Sequence, residues 1–267
     1  MAIVYIVEGL PCSGKSTTAA FAAQVLREDG SMVTNVDEGS GAHPADYEFH
    51  AFLSRELTEC APRLRPQIRA WGEPVLDGWV VPLSRFQGED LQALLPYKLY
   101  DGLPWERERP VMLEKWKRFA GQAEKDRIYL FNCVLLQNPM CETMMRFDLP
   151  ERESLAYIKE IAQTIAPLEP RVIYLKNEDI ARRIEVTAQK RPGWLEGFLD
   201  YHTSSAYGRR THAHGFEGLV SCLEERQRRE LSILQKLPVK SMVISNPHRD
   251  WEAAYGCISD FIRCGKA

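Results

Sequence analysis

The sequence predicts an α/β fold in which a parallel sheet is covered by helices on both faces. Three observations lead there. Short apolar runs recur at residues 2–7, 32–36, 127–131, 171–175 and 240–245. Segments with helical spacing separate most of them, and strands alternating with helices make a parallel sheet. The first run passes through a glycine loop straight into a helical pattern.

The elements follow in order. The first run is β-branched and apolar, as a buried strand requires. From Ser16 the spacing becomes helical, with Ala20, Phe21 and Val25 recurring, and it ends near Gly30. The third strand carries Ile128-Tyr129-Leu130-Phe131, the fourth Val172-Ile173-Tyr174-Leu175, and the fifth centres on Met242-Val243-Ile244. Helical faces form from Leu155, Ile158, Ala162 and Ile165, from Phe216, Leu219, Val220 and Leu223, and from Trp251, Tyr255, Ile258 and Phe261. Residues of about 41–126 break the rhythm. They are read as a largely helical insert between the second and third strands, with helices predicted over 47–57 and 110–120.

A length of 267 residues suits one large domain with an insert, and 45% hydrophobic residues suffice for its core. A net charge of -3 gives no global basic field for nucleic acid. No apolar run reaches the ~18 residues of a membrane span, and the N-terminus lacks signal-peptide order. The seven cysteines are odd in number and scattered, which reads as free thiols. The expectation is a cytoplasmic protein with no nucleic-acid or membrane partner. Nothing in the sequence sets the oligomeric state, and a homodimer is open.

The loop Gly9-Leu10-Pro11-Cys12-Ser13-Gly14-Lys15-Ser16 has Gly-x-x-x-x-Gly-Lys-Ser spacing. Gly9 and Gly14 allow a tight turn whose N–H groups point at phosphate oxygens. Pro11, Cys12 and Ser13 form the turn between them. Lys15 supplies charge near the β- and γ-phosphates, Ser16 a hydroxyl for Mg²⁺, and Thr17 a further hydroxyl and N–H. The helix N-terminus adds positive potential. Cys12 is read as a tolerated small side chain, not a redox thiol.

Gly-Leu-Pro-Cys-Ser-Gly-Lys-Ser-Thr resembles the loop of small P-loop kinases, in particular thymidylate-kinase-like and deoxynucleoside-kinase-like enzymes. The resemblance is strong over the first 40 residues and architectural beyond them. It implies a P-loop NTPase three-layer α/β/α fold with five parallel strands ordered 2-3-1-4-5. It also implies ATP and Mg²⁺ as cofactors, and an acceptor held over the carboxyl edge of the sheet, with the insert covering that site. In such kinases an acidic residue after the second strand contacts the acceptor hydroxyl. Here Val36-Asp37-Glu38 stands there. A carboxylate can take the hydroxyl proton or hold metal-bound water. Glu38 is the first candidate base and Asp37 the second, with Asp37 also beside Ser16 as a metal candidate.

The third strand departs from the pattern, because Asn132 stands where an acidic residue normally positions Mg²⁺. Just past it, the amides of Gln137 and Asn138 are candidates for substrate contact. His43, ahead of Pro44, is another. Glu142 and Arg146 lie one turn apart and are expected to pair. The fourth strand leads to a predicted lid over about 177–215. Its cations Arg182, Arg183, Lys190 and Arg191 suit a transferring phosphoryl group, with Arg183 and Arg191 preferred. The loop after the fifth strand, with Asn246, is expected along the adenine. No Asn-Lys-x-Asp guanine motif exists, which favours ATP. His202, His212 and His214 lack zinc-ligand spacing. Arg226, Arg228 and Arg229 alternate with Glu224, Glu225 and Glu230, which reads as a solvated helix face.

Two functions are carried forward. One is an ATP-dependent kinase acting on a nucleoside, nucleotide or other hydroxylated small molecule. The other is a nucleotide-binding switch with slow or absent transfer.

Overall fold

The computed structural model describes residues 2–264. The chain divides into two compact units, one made of residues up to Glu38 together with those from Ala123 onward, the other of Gly39–Gln122. In chain order the strands are β1 (Ile3–Gly9), β2 (Met32–Val36), β3 (His50–Ser54), β4 (Glu73–Val75), β5 (Gly78–Pro82), β6 (Arg127–Asn132), β7 (Arg171–Lys176) and β8 (Lys240–Ser245). The α-helices are α1 (Lys15–Glu28), α2 (Arg55–Cys60), α3 (Arg65–Trp71), α4 (Gly88–Leu94), α5 (Trp105–Gln122), α6 (Gln137–Met140), α7 (Glu151–Thr164), α8 (Ile180–Lys190), α9 (Trp194–Thr203), α10 (Ala206–Arg210), α11 (Gly215–Leu234) and α12 (Trp251–Cys264).

In the first unit β2, β6, β1, β7 and β8 pair in that spatial order, every pair parallel. The central strands are apolar along their length because both faces are covered. On one face Tyr5, Val7, Leu130, Ile173 and Leu175 pack with Ala19, Ala22 and Leu26 of α1 and Ile258 and Ile262 of α12. Each fully buried Val, Leu or Ile there contributes about 1.5–3 kcal/mol. The opposite face meets α11, where the Tyr174 hydroxyl donates to Glu230. The alanines that give α1 its close approach to the sheet also favour helix. α1 stops at Gly30, whose φ of +79° lets Ser31 N–H reach the Leu26 carbonyl at 3.0 Å and Gly30 N–H reach that of Arg27 at 2.9 Å.

The second unit carries several helices, as expected of the insert, and adds a small antiparallel sheet that was not expected. Residues 47–57 are not one helix. Ala51, Phe52 and Leu53 form the middle of β3, in a three-stranded antiparallel sheet ordered β3-β5-β4. All three are buried, and a short run buried on both sides carries no periodicity to tell strand from helix. The helix begins only at Arg55, where the Ser54 hydroxyl accepts the Leu57 N–H at 3.3 Å. α5 begins five residues before Pro110, which lies inside it. Residues Ala51, Leu53, Ile68, Val81 and Leu94 form the core of this unit.

Among the described residues, no helix is long and apolar enough to cross a membrane.

Candidate functional site

β1 ends in Gly9, and the chain must turn there within a crowded sheet edge. A Cβ at Gly9 would stand 2.5 Å from the Leu175 carbonyl of β7, and its φ is +141°. Gly14, at φ +94°, begins α1, and a Cβ there would meet the Trp251 ring at 2.5 Å. Both positions therefore require glycine. No side chain caps α1 and its first turn holds no acidic residue. The first-turn amides thus keep their capacity for an anion. Lys15 is buried and donates to the Leu10 carbonyl at 3.0 Å, which folds the ammonium back over the loop.

The loop opens into a cavity of about 600 Å³. Pro11, Cys12, Gly14, Lys15, Ser16 and Thr17 line it, with Gly9 and Ser13 beneath. From α8 come Arg183, Lys190 and Arg191; from the end of β2, Glu38; from the loop after β6, Gln137. Four cations (Lys15, Arg183, Lys190, Arg191) and one carboxylate (Glu38) face the same space among the described residues. Such an excess of positive charge in a concave site favours a polyanion.

Cys12 adopts φ +69°. Burial pushes its thiol up, while a hydrogen bond with Thr187 of α8 and the charges of Lys15, Arg191 and Arg183 pull the other way. Arg183 and Arg191 share the cavity lining with the loop. The Arg183 Nε is shielded from solvent with no hydrogen-bond partner among the described residues.

Glu38 is fixed from two sides. It accepts from Gln137 Nε2 at 3.1 Å. It also bonds the thiol of Cys133, which burial and then the Glu38 charge push far above its ordinary range. Cys133 sits at φ +60° just past β6, with its N–H on the Val7 carbonyl at 3.0 Å. Asn132 Nδ2 donates to Ser16 Oγ at 3.3 Å, and its buried Oδ1 has no partner among the described residues. The amide therefore stands where a strand-end acid was expected, against the magnesium candidate.

Several sequence candidates lie elsewhere. Asp37 is exposed and Asn138 half-buried, and neither lines the cavity. Each is displaced by its neighbour: Glu38 and Gln137 point in. Asn246 also lies off the cavity lining. Its amide is spent on the loop after β7, accepting the Glu178 N–H at 2.9 Å and donating to the Glu178 carboxylate at 2.6 Å. His43 belongs to the second unit, where it is buried and accepts the Ala45 N–H at 3.1 Å. Burial, then Lys115, lowers its pKa to about 3. The Glu142–Arg146 pair forms at 2.7 Å within a π-helical turn, Cys141–Arg146.

Other residues escaped the sequence reading. Glu8 of β1 is fully buried, and its carboxylate accepts the N–H groups of Leu135 and Leu136 at 2.8 and 2.9 Å and of Gln137 at 3.1 Å. Burial and the nearby Glu230 raise its pKa against those three amides, to about 7. Arg226 corrects the expected solvated face. It is 1% exposed, pairs with Glu230 at 2.7 Å and donates to the Gln137 carbonyl at 3.2 Å. Trp194 and Phe198 of α9 stack at 4.5 Å and line the cavity. The available signals were a charge ending an apolar strand and an aromatic pair at i,i+4.

No family model matches the chain, and no curated protein sequence matches it significantly.

Proposed function

We propose that the chain is an ATP-dependent kinase of the P-loop type that transfers the γ-phosphoryl group to a hydroxyl of a small molecule. The observation that carries this reading is the convergence of Glu38, bonded to Gln137, with Lys15, Ser16, Arg183 and Arg191 in one cavity. The sheet supports it too: counted among themselves in chain order, its strands run 2-3-1-4-5.

In this reading the loop amides and Lys15 hold the phosphates. Glu38 orients the acceptor hydroxyl and takes its proton. Arg183 and Arg191 offset charge spread over the equatorial oxygens. A magnesium ion bound together with nucleotide would be held by the exposed Ser16 hydroxyl, which the Asn132 amide orients through its Nδ2. Such an ion neutralises phosphate charge when bound. The aromatic pair of α9 gives the cavity an apolar wall.

A second reading, a nucleotide-binding switch with slow transfer, is favoured by Asn132, which brings no charge to the metal side. One assay separates the two. ADP release is followed with Mg-ATP and a panel of nucleosides, nucleotides, sugars and hydroxylated antibiotics. The kinase reading expects acceptor-dependent ADP that disappears in Lys15→Ala and falls at least ~100-fold in Glu38→Gln, the range for a lost general base. Tight nucleotide binding with no acceptor-dependent turnover anywhere in the panel would establish the switch.

A further inference from the structure

Gln137 is the most tightly positioned residue of the cavity. Its N–H donates to Glu8 and its carbonyl accepts from Arg226, two ionisable groups with almost no exposure. Its side-chain Nε2 is committed to Glu38 at 3.1 Å. That bond also settles the orientation of the amide, because a carboxylate accepts only from the nitrogen side. One polar atom is left over. The Gln137 Oε1 is buried and has no hydrogen-bond partner among the described residues, and the residue is 6% exposed and lines the cavity.

Glu8 and Arg226, the latter already paired with Glu230, hold both ends of this backbone unit in place. An unpartnered buried carbonyl oxygen is costly, and it persists where a ligand supplies the missing donor. Through the bond lengths of an amide, Oε1 lies within about 5.5 Å of the Glu38 carboxylate oxygen that Nε2 touches. Two acceptors no farther apart than that are within reach of two O–H groups on neighbouring carbons, one received by Glu38 and one by Gln137.

We propose that the acceptor is a vicinal diol, phosphorylated at the hydroxyl facing Glu38 and recognised at the neighbouring hydroxyl by Gln137 Oε1. This rests on the kinase reading. Gln137 is then a specificity-determining residue, and Glu8 and Arg226 are positioning residues acting through its backbone. A site built to receive a substrate O–H rejects the analogue that lacks it far more strongly than an apolar pocket rejects a missing methylene.

The test uses the full chain with Mg-ATP and acceptors in matched pairs differing by one hydroxyl: uridine and 2′-deoxyuridine, glucose and its monodeoxy derivatives, an aminoglycoside and its deoxy form. ADP release is read for the wild type, Lys15→Ala and Gln137→Met. The wild type should prefer the diol of the accepted pair by at least ~100-fold in kcat/KM. Gln137→Met should collapse that ratio to within a few fold, by lowering the diol to the level of its deoxy partner. Equal wild-type turnover of both members overturns the inference and leaves the kinase reading standing, and that comparison needs no variant to fold. A ratio that survives Gln137→Met overturns it as well. Should no acceptor raise ADP release above the Lys15→Ala background, the kinase reading and the inference fall together.

Discussion

Glu8→Gln tests whether burial raises the pKa of the carboxyl just before the Gly9–Ser16 loop to near neutral pH. The folded chain raises that carboxyl from its ordinary 4.5 to about 7. At 1.36 kcal/mol per pH unit, holding it ionised in the fold costs about 3 kcal/mol. The sign follows from proton counting. Below pH 4.5 both folded and unfolded chains keep the proton, and stability is unaffected. Between 4.5 and 7 the unfolded chain has lost it and the folded chain has not, so stability falls as pH rises. Above 7 the loss is complete. Two buried histidines slope the other way. His43 and His202, lowered by burial to about 3 and about 4, lose stability as pH falls below 6.5. Wild-type stability alone therefore mixes opposed contributions, and the comparison with the variant isolates Glu8.

The glutamine keeps one oxygen for the Leu135 and Leu136 amides but turns an NH₂ toward the Gln137 N–H, or the reverse. That unmade bond costs about 1–3 kcal/mol at any pH. Urea unfolding followed by tryptophan fluorescence should find Glu8→Gln less stable than wild type by that amount at pH 5. At pH 8 it should be equal or more stable, so that the difference between the two proteins changes by about 3 kcal/mol at constant m. A difference that is the same at both pH values would show that the carboxyl is ionised throughout, with the three amides outweighing burial.

Three further outcomes follow from the same geometry. Gly14→Ala should cost about 1–2 kcal/mol for the left-handed backbone alone, and weaken nucleotide binding at least tenfold by calorimetry as the new methyl displaces Trp251; adding Trp251→Leu should return part of the affinity. Arg226→Met should destabilise the fold by about 3–5 kcal/mol in urea, because Glu230 is left charged and buried, and pairing it with Glu230→Leu should recover most of the loss. Asn132→Asp sets a carboxylate against Ser16 and should lower the Mg²⁺ concentration at which nucleotide binding is half-saturated; an unchanged magnesium titration would place the ion away from Asn132.

What the sequence disclosed depended on whether a feature was contiguous. The Gly9–Ser16 loop is eight adjacent residues, and its Gly9 and Gly14 answer local requirements in φ and in the space left for a Cβ. The central strands β1, β6 and β7 were legible because burial on both faces leaves uninterrupted apolar runs. β3 was not, since residues 51–53 are too few to show a period and their partners in β5, residues 79–81, lie beyond α2, α3 and β4. Arg226 was misread because a charge flanked by acids at helical spacing looks the same on a wet face as in a buried pair. Its partners, Glu230 and the Gln137 carbonyl, decide the matter, and one of them is 89 residues away.

Gln137 shows how the two kinds of information combine. An amide past the end of a strand was legible as a group that can touch substrate. Which of its atoms is committed was not, because Glu38 lies 99 residues off and the amides that hold Glu8 lie 127 to 129 residues from it. A residue whose N–H, carbonyl and Nε2 are all fixed by ionisable groups has one polar atom left to act, and its surroundings determine what that atom accepts. The same accounting explains Asn246, whose amide bonds Glu178 through both its oxygen and its nitrogen. The residue with a buried, unpartnered amide oxygen lines the cavity, and the one whose side chain is used up lies off it.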